Sequence, residues 1–398
     1  MSGSIVLLST WSWGSIMAFE VLASKAYGAG NHYLLGLYFK RGQLVLLLIM
    51  LFFFALSSFS DKIFNLLGQN PDVTQYLQEY VIMVYPGICA FGIFSLRAIY
   101  LNSQFIFSIP IIIQVITTFA HVAWCTLFQD WKIQGIAIAM NITFFTNMLL
   151  LEAYNLIFKP RKLAVAPWSL EVFKGLPSYL SFTSPIAFTT ILEELSYEIN
   201  SLLAGLLQNE VILAVHVALA HSGSLFYCLP EGFSAALNSL VGIAIGEKKF
   251  NKAKRFALMG VFGGMLIMLL CCLILWILSF QWACFFVENQ KIVETMLSFL
   301  PLFIGTSILD SVQLTLGAVV KVVGKGKLAL FMYVICLYVI ANPLSYMLGI
   351  YWEMGLWGIW IGVFCGVALL SMIFLGMCWR IKWDRNLNCG EIALLNDI

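Results

Sequence analysis

The chain has 398 residues, 61% of them hydrophobic and 11% charged, with a formal net charge of +2. Soluble domains carry about 25% charged residues, so these proportions exclude an ordinary soluble domain and indicate an all-α polytopic membrane protein. No basic tract interleaved with aromatics offers a nucleic-acid surface, and no His/Asp/Glu cluster at metal-ligand spacing near an interface supports a membrane enzyme.

Apolar runs of about 20 residues, the length that spans a bilayer, recur eleven times along the chain, at 4–24, 42–60, 76–97, 105–128, 133–157, 176–207, 211–244, 256–280, 293–319, 328–350 and 355–379. The loops between them alternate in charge. Odd-numbered loops and the tail hold 19 of the 22 Lys and Arg, among them Lys25, Lys40 and Arg41, then Arg97, then Lys159 to Lys174, then Lys248 to Arg255, then Lys321 to Lys327, then Arg380 to Arg385. Even-numbered loops hold Lys62, Lys132 and Lys291. The positive-inside rule therefore predicts cytosolic odd loops and a cytosolic C-terminus. The ten cysteines lie mostly in apolar runs with no C-x-x-C pair, and read as small buried hydrophobes.

An internal repeat divides the chain. Ala26-Tyr-Gly-Ala-Gly-Asn31 returns as Gly242-Ile-Ala-Ile-Gly-Glu247, Leu67-Gly-Gln-Asn70 as Phe286-Val-Glu-Asn289, and Gln134-Gly-Ile-Ala-Ile as Trp357-Gly-Ile-Trp-Ile. The three matches keep their order at a nearly constant offset, as in the duplicated lobes of secondary transporters. The expected organisation is an N-lobe over 1–160, a cytosolic linker over 161–175 with Pro167, a C-lobe over 176–380 and a tail over 381–398. The counterpart of the 176–207 helix would fall before Met1. The first lobe is therefore expected to lack its opening helix, either as a property of the protein or through a shortened gene model.

That helix contains the most unusual residues. Glu193, Glu194 and Glu198 sit in an otherwise membrane-spanning run, where each carboxylate costs about 2.5–3.5 kcal/mol on insertion scales and marks a substrate or ion path. Glu194 and Glu198 share a helical face, whereas Glu193 lies about 140° around from Glu198. Pro177 and Pro185 are expected to bend the first half of the helix. Asp310 lies mid-run with Gln313 on the same face, and His221 lies mid-run one turn and a fraction beyond His216. Tyr197, beside Glu198, is placed to stack on a planar cation. Glu231 follows Pro230 and is a candidate cavity residue. Glu20 is expected to snorkel to the cytosolic end, and Arg97 and Lys321 to act as topology signals.

Four motifs, in order, resemble the multidrug and toxic compound extrusion (MATE) family on its eukaryotic branch. Lys25-Ala-Tyr-Gly-Ala29 is similar to the turn after the family's helix two. Leu192-Glu-Glu-Leu-Ser-Tyr-Glu198 with Leu203-Ala-Gly-Leu-Leu207 is similar to its helix-seven pattern. Pro230-Glu-Gly232 matches the Pro-x-Gly of helix eight, and Leu309-Asp-Ser-Val-Gln313 the motif of helix ten. Members have twelve helices in two six-helix lobes, so the absent helix here would be the first. The resemblance implies an antiporter that expels organic, usually cationic, compounds in exchange for protons or sodium, with protons typical of the eukaryotic branch. It carries the coupling acids over to Glu193, Glu198 and Asp310, and pairs Glu193 with Glu198 where residue spacing pairs Glu194 with Glu198. His221 stands where some members have a glutamate, Leu240 where plant members have an arginine, and Glu194 and Leu195 where the family has a Trp pair.

The expected function is proton-coupled export of a small organic compound, with no cofactor, a lipid environment, a single chain, and residence in the plasma membrane or a vacuolar or other organelle membrane. Two other readings remain at this point. One is a lipid-precursor flippase of the related superfamily, whose cavity would be basic to hold a phosphate head, against the acidic interior here. The other is a truncated, transport-inactive homologue.

Overall fold

A computed structural model describes residues 2–59, 71–158 and 166–383, with side chains described from residue 12 in the first stretch and from 78 in the second. The described residues are helical, with no strand. They form α1 (Ser2–Gly28), α2 (His32–Ser57), α3 (Pro71–Asn102), α4 (Ser108–Leu127), α5 (Lys132–Phe158), the short α6 (Leu170–Lys174), α7 (Leu176–Leu206), α8 (Glu210–Gly246), α9 (Phe250–Ile277), the short α10 (Ser279–Phe286), α11 (Gln290–Val322), α12 (Gly326–Tyr351) and α13 (Gly355–Trp379). Eleven of these are long, one for each expected span. Nine are long and apolar enough to cross a membrane among the described residues. The other two are α1 and α7, and α7 interrupts its apolar run with Glu193, Glu194, Glu198 and several Ser and Thr.

The chain divides into two compact units, Met1–Ala187 and Phe188–Ile398. This division falls inside α7, later than the expected end of the linker at 175. The reason is local packing. Gly14 leaves no room for a side chain against the Ala187 backbone, and Tyr179 packs near Gly42. Lys25 lies over the Phe182 ring at 5.3 Å. Most of the first half of α7, up to and just beyond Pro185, is thereby held in the first unit. The expected linker is described only from Ala166, and the tail only to Trp383; Asn70 of the repeat also lies outside the described residues.

In the first unit, Gly30 adopts a left-handed φ of 73°, which glycine allows without strain. It ends the turn after α1, and the Asn31 side chain then caps α2 by accepting from Leu34 N at 3.0 Å. Pro86 interrupts the bonding of α3. Asn141 of α5 donates to the Met83 carbonyl one turn earlier, at 2.7 Å, and Gly87 lets the two helices approach.

Several cations expected in loops or as topology signals also have structural contacts. The α2 helix begins ten residues before the expected span, and Arg41 is buried within it. Its Nε donates to Val172 O at 3.2 Å and its Nη2 to Glu171 O at 2.9 Å, so α6 is clasped to α2. Arg97 forks onto Glu152 at 2.8 and 3.1 Å and lies 4.5 Å over the Phe39 ring. Glu20 is buried, correcting the expectation that it snorkels; Lys321, in the last turn of α11, is buried as well.

In the second unit, α8 packs on α9 and α11, and α11 on α13. The α12–α13 contact depends on small residues. A side chain at Gly358 would meet the Leu348 backbone oxygen at 2.6 Å, and one at Gly362 would meet Ser345 Cα at 2.6 Å. Gly366 sits one turn further along against Ala341. Small residues spaced four apart let membrane helices approach closely, where dispersion supplies the attraction. The repeat has a structural echo here, because Gly135, the counterpart of Gly358, is pressed against Phe128 backbone at the start of α5. Within α12, Val334–Ala341 and Met347–Tyr351 are π-helical, flanking Asn342–Tyr346. Pro343 lies at this junction, where it removes one amide donor from the ladder.

Candidate functional site

The site is built on the second half of α7. Positions 193, 196, 197 and 200 fall on one side of the helix and meet α11 and α12. Glu193 is 4% exposed. It accepts from Gln313 Nε2 at 2.5 Å, and the Tyr333 hydroxyl lies 3.3 Å from its other oxygen and 3.0 Å from Gln313 Oε1. Gln313 and Tyr333 are themselves fully buried. One carboxylate is thus held by an amide and a phenol. Among the described residues it makes no ion pair within 4 Å, though the buried Lys321 acts on it at longer range.

Asp310 is the second centre. The Tyr197 hydroxyl lies 3.0 Å from each of its oxygens. Asp310 and Glu193 act on each other through their charges. Beside them, Ser196 Oγ donates to Asn342 Oδ1 at 2.9 Å, and Asn200 Nδ2 donates to the same oxygen at 3.1 Å. Tyr338 donates to the Leu192 carbonyl at 2.9 Å, tying α12 to α7. A small cavity of about 10 Å³ opens among Glu193, Ser196, Tyr197, Asn200 and Gln313, with Val363 and Val367 of α13 on the far wall.

The structure brings Glu193, Gln313, Tyr197 and Asp310 together. Neither expected carboxylate pair makes a direct contact. The partners of Glu193 are Gln313 and Tyr333, and among the described residues Glu198 and Glu194 make no hydrogen bond. Both are half-exposed. Their charges, with those of Glu231 and Glu193, still act on one another. Tyr197 is turned to Asp310 through its hydroxyl. His221 is exposed and in no hydrogen bond with this group, whereas its neighbour one turn earlier, His216, is buried.

Tyr333, Ser196, Asn200 and Asn342 are the site residues that the sequence reading passed over. The available signal was an Asn-Pro pair inside an apolar run and a polar face recurring every three or four residues after Glu193.

The MatE family model matches residues 3–127 and 185–347. Multidrug and toxin extrusion protein 1 of Oryctolagus cuniculus is 27% identical over 376 residues, covering 94% of this chain and 66% of that protein. The protein of the same name from Homo sapiens is 26% identical over 376 residues, with the same coverage. The chain therefore spans about 66% of the length of these relatives. The crystal structure of the eukaryotic MATE transporter AtDTX14 superposes with a TM-score of 0.91 at 20% identity, covering 98% of this chain and 89% of that one. Fold and family match agree along most of the sequence, and the chain belongs to the MatE family of transporters.

Proposed function

We propose that this chain is a secondary antiporter that exports organic, chiefly cationic, compounds in exchange for protons. The observation that carries the reading is the Glu193–Asp310 pair, two acids deep in a helical membrane protein whose hydrogen-bond donors are neutral. A buried carboxylate is costly unless its charge is met. A proton and an organic cation can each meet it, and cannot do so together at no cost. Exchange follows from that competition. With the acids ionised the site attracts the cation; when protons arrive from the outside or from an acidic lumen, the attraction is lost and the cation leaves. Glu194, Glu198 and Glu231 add to the negative field that draws the cation in, and His221 stands on the exposed face of α8. The lobes rock to give the site alternate access. The Lys and Arg distribution supports a cytosolic C-terminus, and the membrane is the plasma membrane or a vacuolar or other organelle membrane.

The acidic interior favours this reading over a lipid-precursor flippase. The test is ethidium export from proteoliposomes holding the 398-residue chain under an imposed pH gradient. Glu193→Gln and Asp310→Asn are each expected to abolish pH-driven export. Normal proton-coupled export in either variant would overturn the assignment.

A further inference from the structure

Among the described residues of the second unit, two neighbouring pairs of buried side-chain polar atoms have no hydrogen-bond partner: Asn200 Oδ1 and Asn342 Nδ2, whose amides touch, and His216 Nδ1 and Trp360 Nε1, whose rings lie 6.1 Å apart. Their residues are 3%, 8%, 4% and 9% exposed. Buried polar atoms are nearly always satisfied by protein or by ordered water, so four along one seam form a pattern. On α7 they follow Glu193 through Ser196 and Asn200 to Ser201, which meets His216. On α13 they follow Val367 and Val363, the cavity wall, back to Trp360 on the same face.

The chemistry of the four atoms alternates. Exchanging the oxygen and nitrogen of the Asn200 and Asn342 amides still leaves one donor and one acceptor unmet, and it turns the Asn200 oxygen onto the Ser196 carbonyl that its nitrogen now serves at 2.7 Å. Ser201 Oγ gives its proton to the Tyr197 carbonyl at 3.2 Å, so it accepts from His216 Nε2 at 3.1 Å. His216 Nδ1 is then a bare acceptor. Trp360 Nε1, a donor only, belongs to a ring 6.1 Å from the His216 ring. The cavity beside Asn200 has room for about one water. One water there can bridge Asn342 Nδ2 to Asn200 Oδ1, and the path needs a second between Trp360 Nε1 and His216 Nδ1.

We infer that the seam running from His216 and Trp360 through Asn200 and Asn342 to Glu193 is a hydrated proton path, with His216 as its outer relay. It enters from the end of the unit where α7 passes into α8. A hydronium gives a proton to His216 Nδ1 and leaves as water, the ring gives up its Nε2 proton toward Ser201, and each handover along the seam waters breaks one O–H bond as it forms the next, until a proton rests on a Glu193 carboxylate oxygen. The net change is one proton moved. The charged groups on the helices around His216 are Glu193, Glu194 and Glu198 on α7, Glu210 and Glu231 on α8, and Lys291, Glu294, Asp310 and Lys321 on α11, while α13 carries none. The inference rests on the proton-exchange reading above.

The test uses the full chain in proteoliposomes, with an ethidium gradient and a trapped pH-sensitive dye. His216→Gln keeps an amide for Ser201 and cannot carry a proton. It is expected to lower ethidium-driven proton flux by about tenfold or more, as loss of a proton-transfer group does, with ethidium binding unchanged. Added imidazole is expected to restore flux in His216→Ala, a rescue that a packing role would not give. Wild-type flux in His216→Gln overturns the path. A wild-type chain that moves no protons with ethidium overturns the exchange reading, and the path with it. A second arm needs no transport: an experimental map that resolves waters is expected to show one bonded to Asn200 and Asn342, and a dry seam there overturns the inference.

Discussion

Tyr197 presents one hydroxyl to both oxygens of Asp310, 3.0 Å from each. A hydrogen bond to an ionised acceptor is worth about 1.5–3 kcal/mol, roughly twice its value to a neutral one. Tyr197→Phe is therefore expected to destabilise the protein more when Asp310 is ionised than when it is protonated. Thermal unfolding in detergent across pH measures this; a pH-independent loss would mean that Asp310 keeps one charge state throughout.

Much of the fold is legible in the sequence because apolar runs are the dominant signal for membrane helices. All eleven long helices fall where such runs predict them. The largest shift is at the start of α2, where Lys40 and Arg41 read as a loop. Arg41 is buried because two carbonyls of α6 receive its guanidinium, and that pairing spans about 130 residues. The acids of the site are legible for the same reason that they are costly: a carboxylate stands out in an apolar run. Tyr333, Asn200 and Asn342 do not stand out. An uncharged polar residue in a membrane helix is ordinary until its partner is known, and the π-helical stretches of α12 break the 3.6-residue period from which the face of Asn342 would be read.

Glu193→Gln removes a charge with almost no change of shape. Gln313 Nε2 still finds a carbonyl oxygen to donate to, and the new amide nitrogen can donate to the Tyr333 hydroxyl, which keeps its bond to Gln313 Oε1. The variant is expected to fold with a stability change of roughly 1 kcal/mol or less, and to lose proton-coupled ethidium export. Unfolding and export measured on the same preparation separate the two effects. A large loss of stability would make Glu193 a structural residue first.

Gly362 and Gly376 lie on the same helix in opposite surroundings. A side chain at 362 would come 2.5 Å from Ser345 N, whereas nothing lies within 4 Å of one at 376. Gly362→Ala is expected to destabilise by about 1–3 kcal/mol through overpacking. Gly376→Ala is expected to be neutral, or to stabilise by about 0.5–1 kcal/mol by removing a helical glycine. Thermal unfolding of both variants checks the contrast.

Glu247 follows α8, outside the spans, and is held below the usual carboxylate range by hydrogen bonds from Lys249 and Lys252. The pairs are 3.0 and 3.1 Å long and partly exposed, so their contribution is small, within about 0–1 kcal/mol. Because the folded-state value is depressed, the contribution is present above the ordinary Glu range and is lost as pH falls through the folded-state value. Glu247→Gln is expected to melt slightly below wild type at neutral pH and together with it in acid. High salt is expected to remove the difference as well.

The widened turns of α12 bear on how this chain tolerates changes of length. A π turn closes one residue more than an α turn, so Val334–Ala341 carries surplus residues relative to an α-helix of the same rise. A deletion there that the stretch does not absorb by tightening to α would rotate all that follows by about 100°. Asn342 would leave α7, and Ser345 would leave the groove that Gly362 opens for it. The span would remain as long and as apolar as a bilayer requires. What such a deletion destroys is angular phase, a quantity that no hydropathy profile registers.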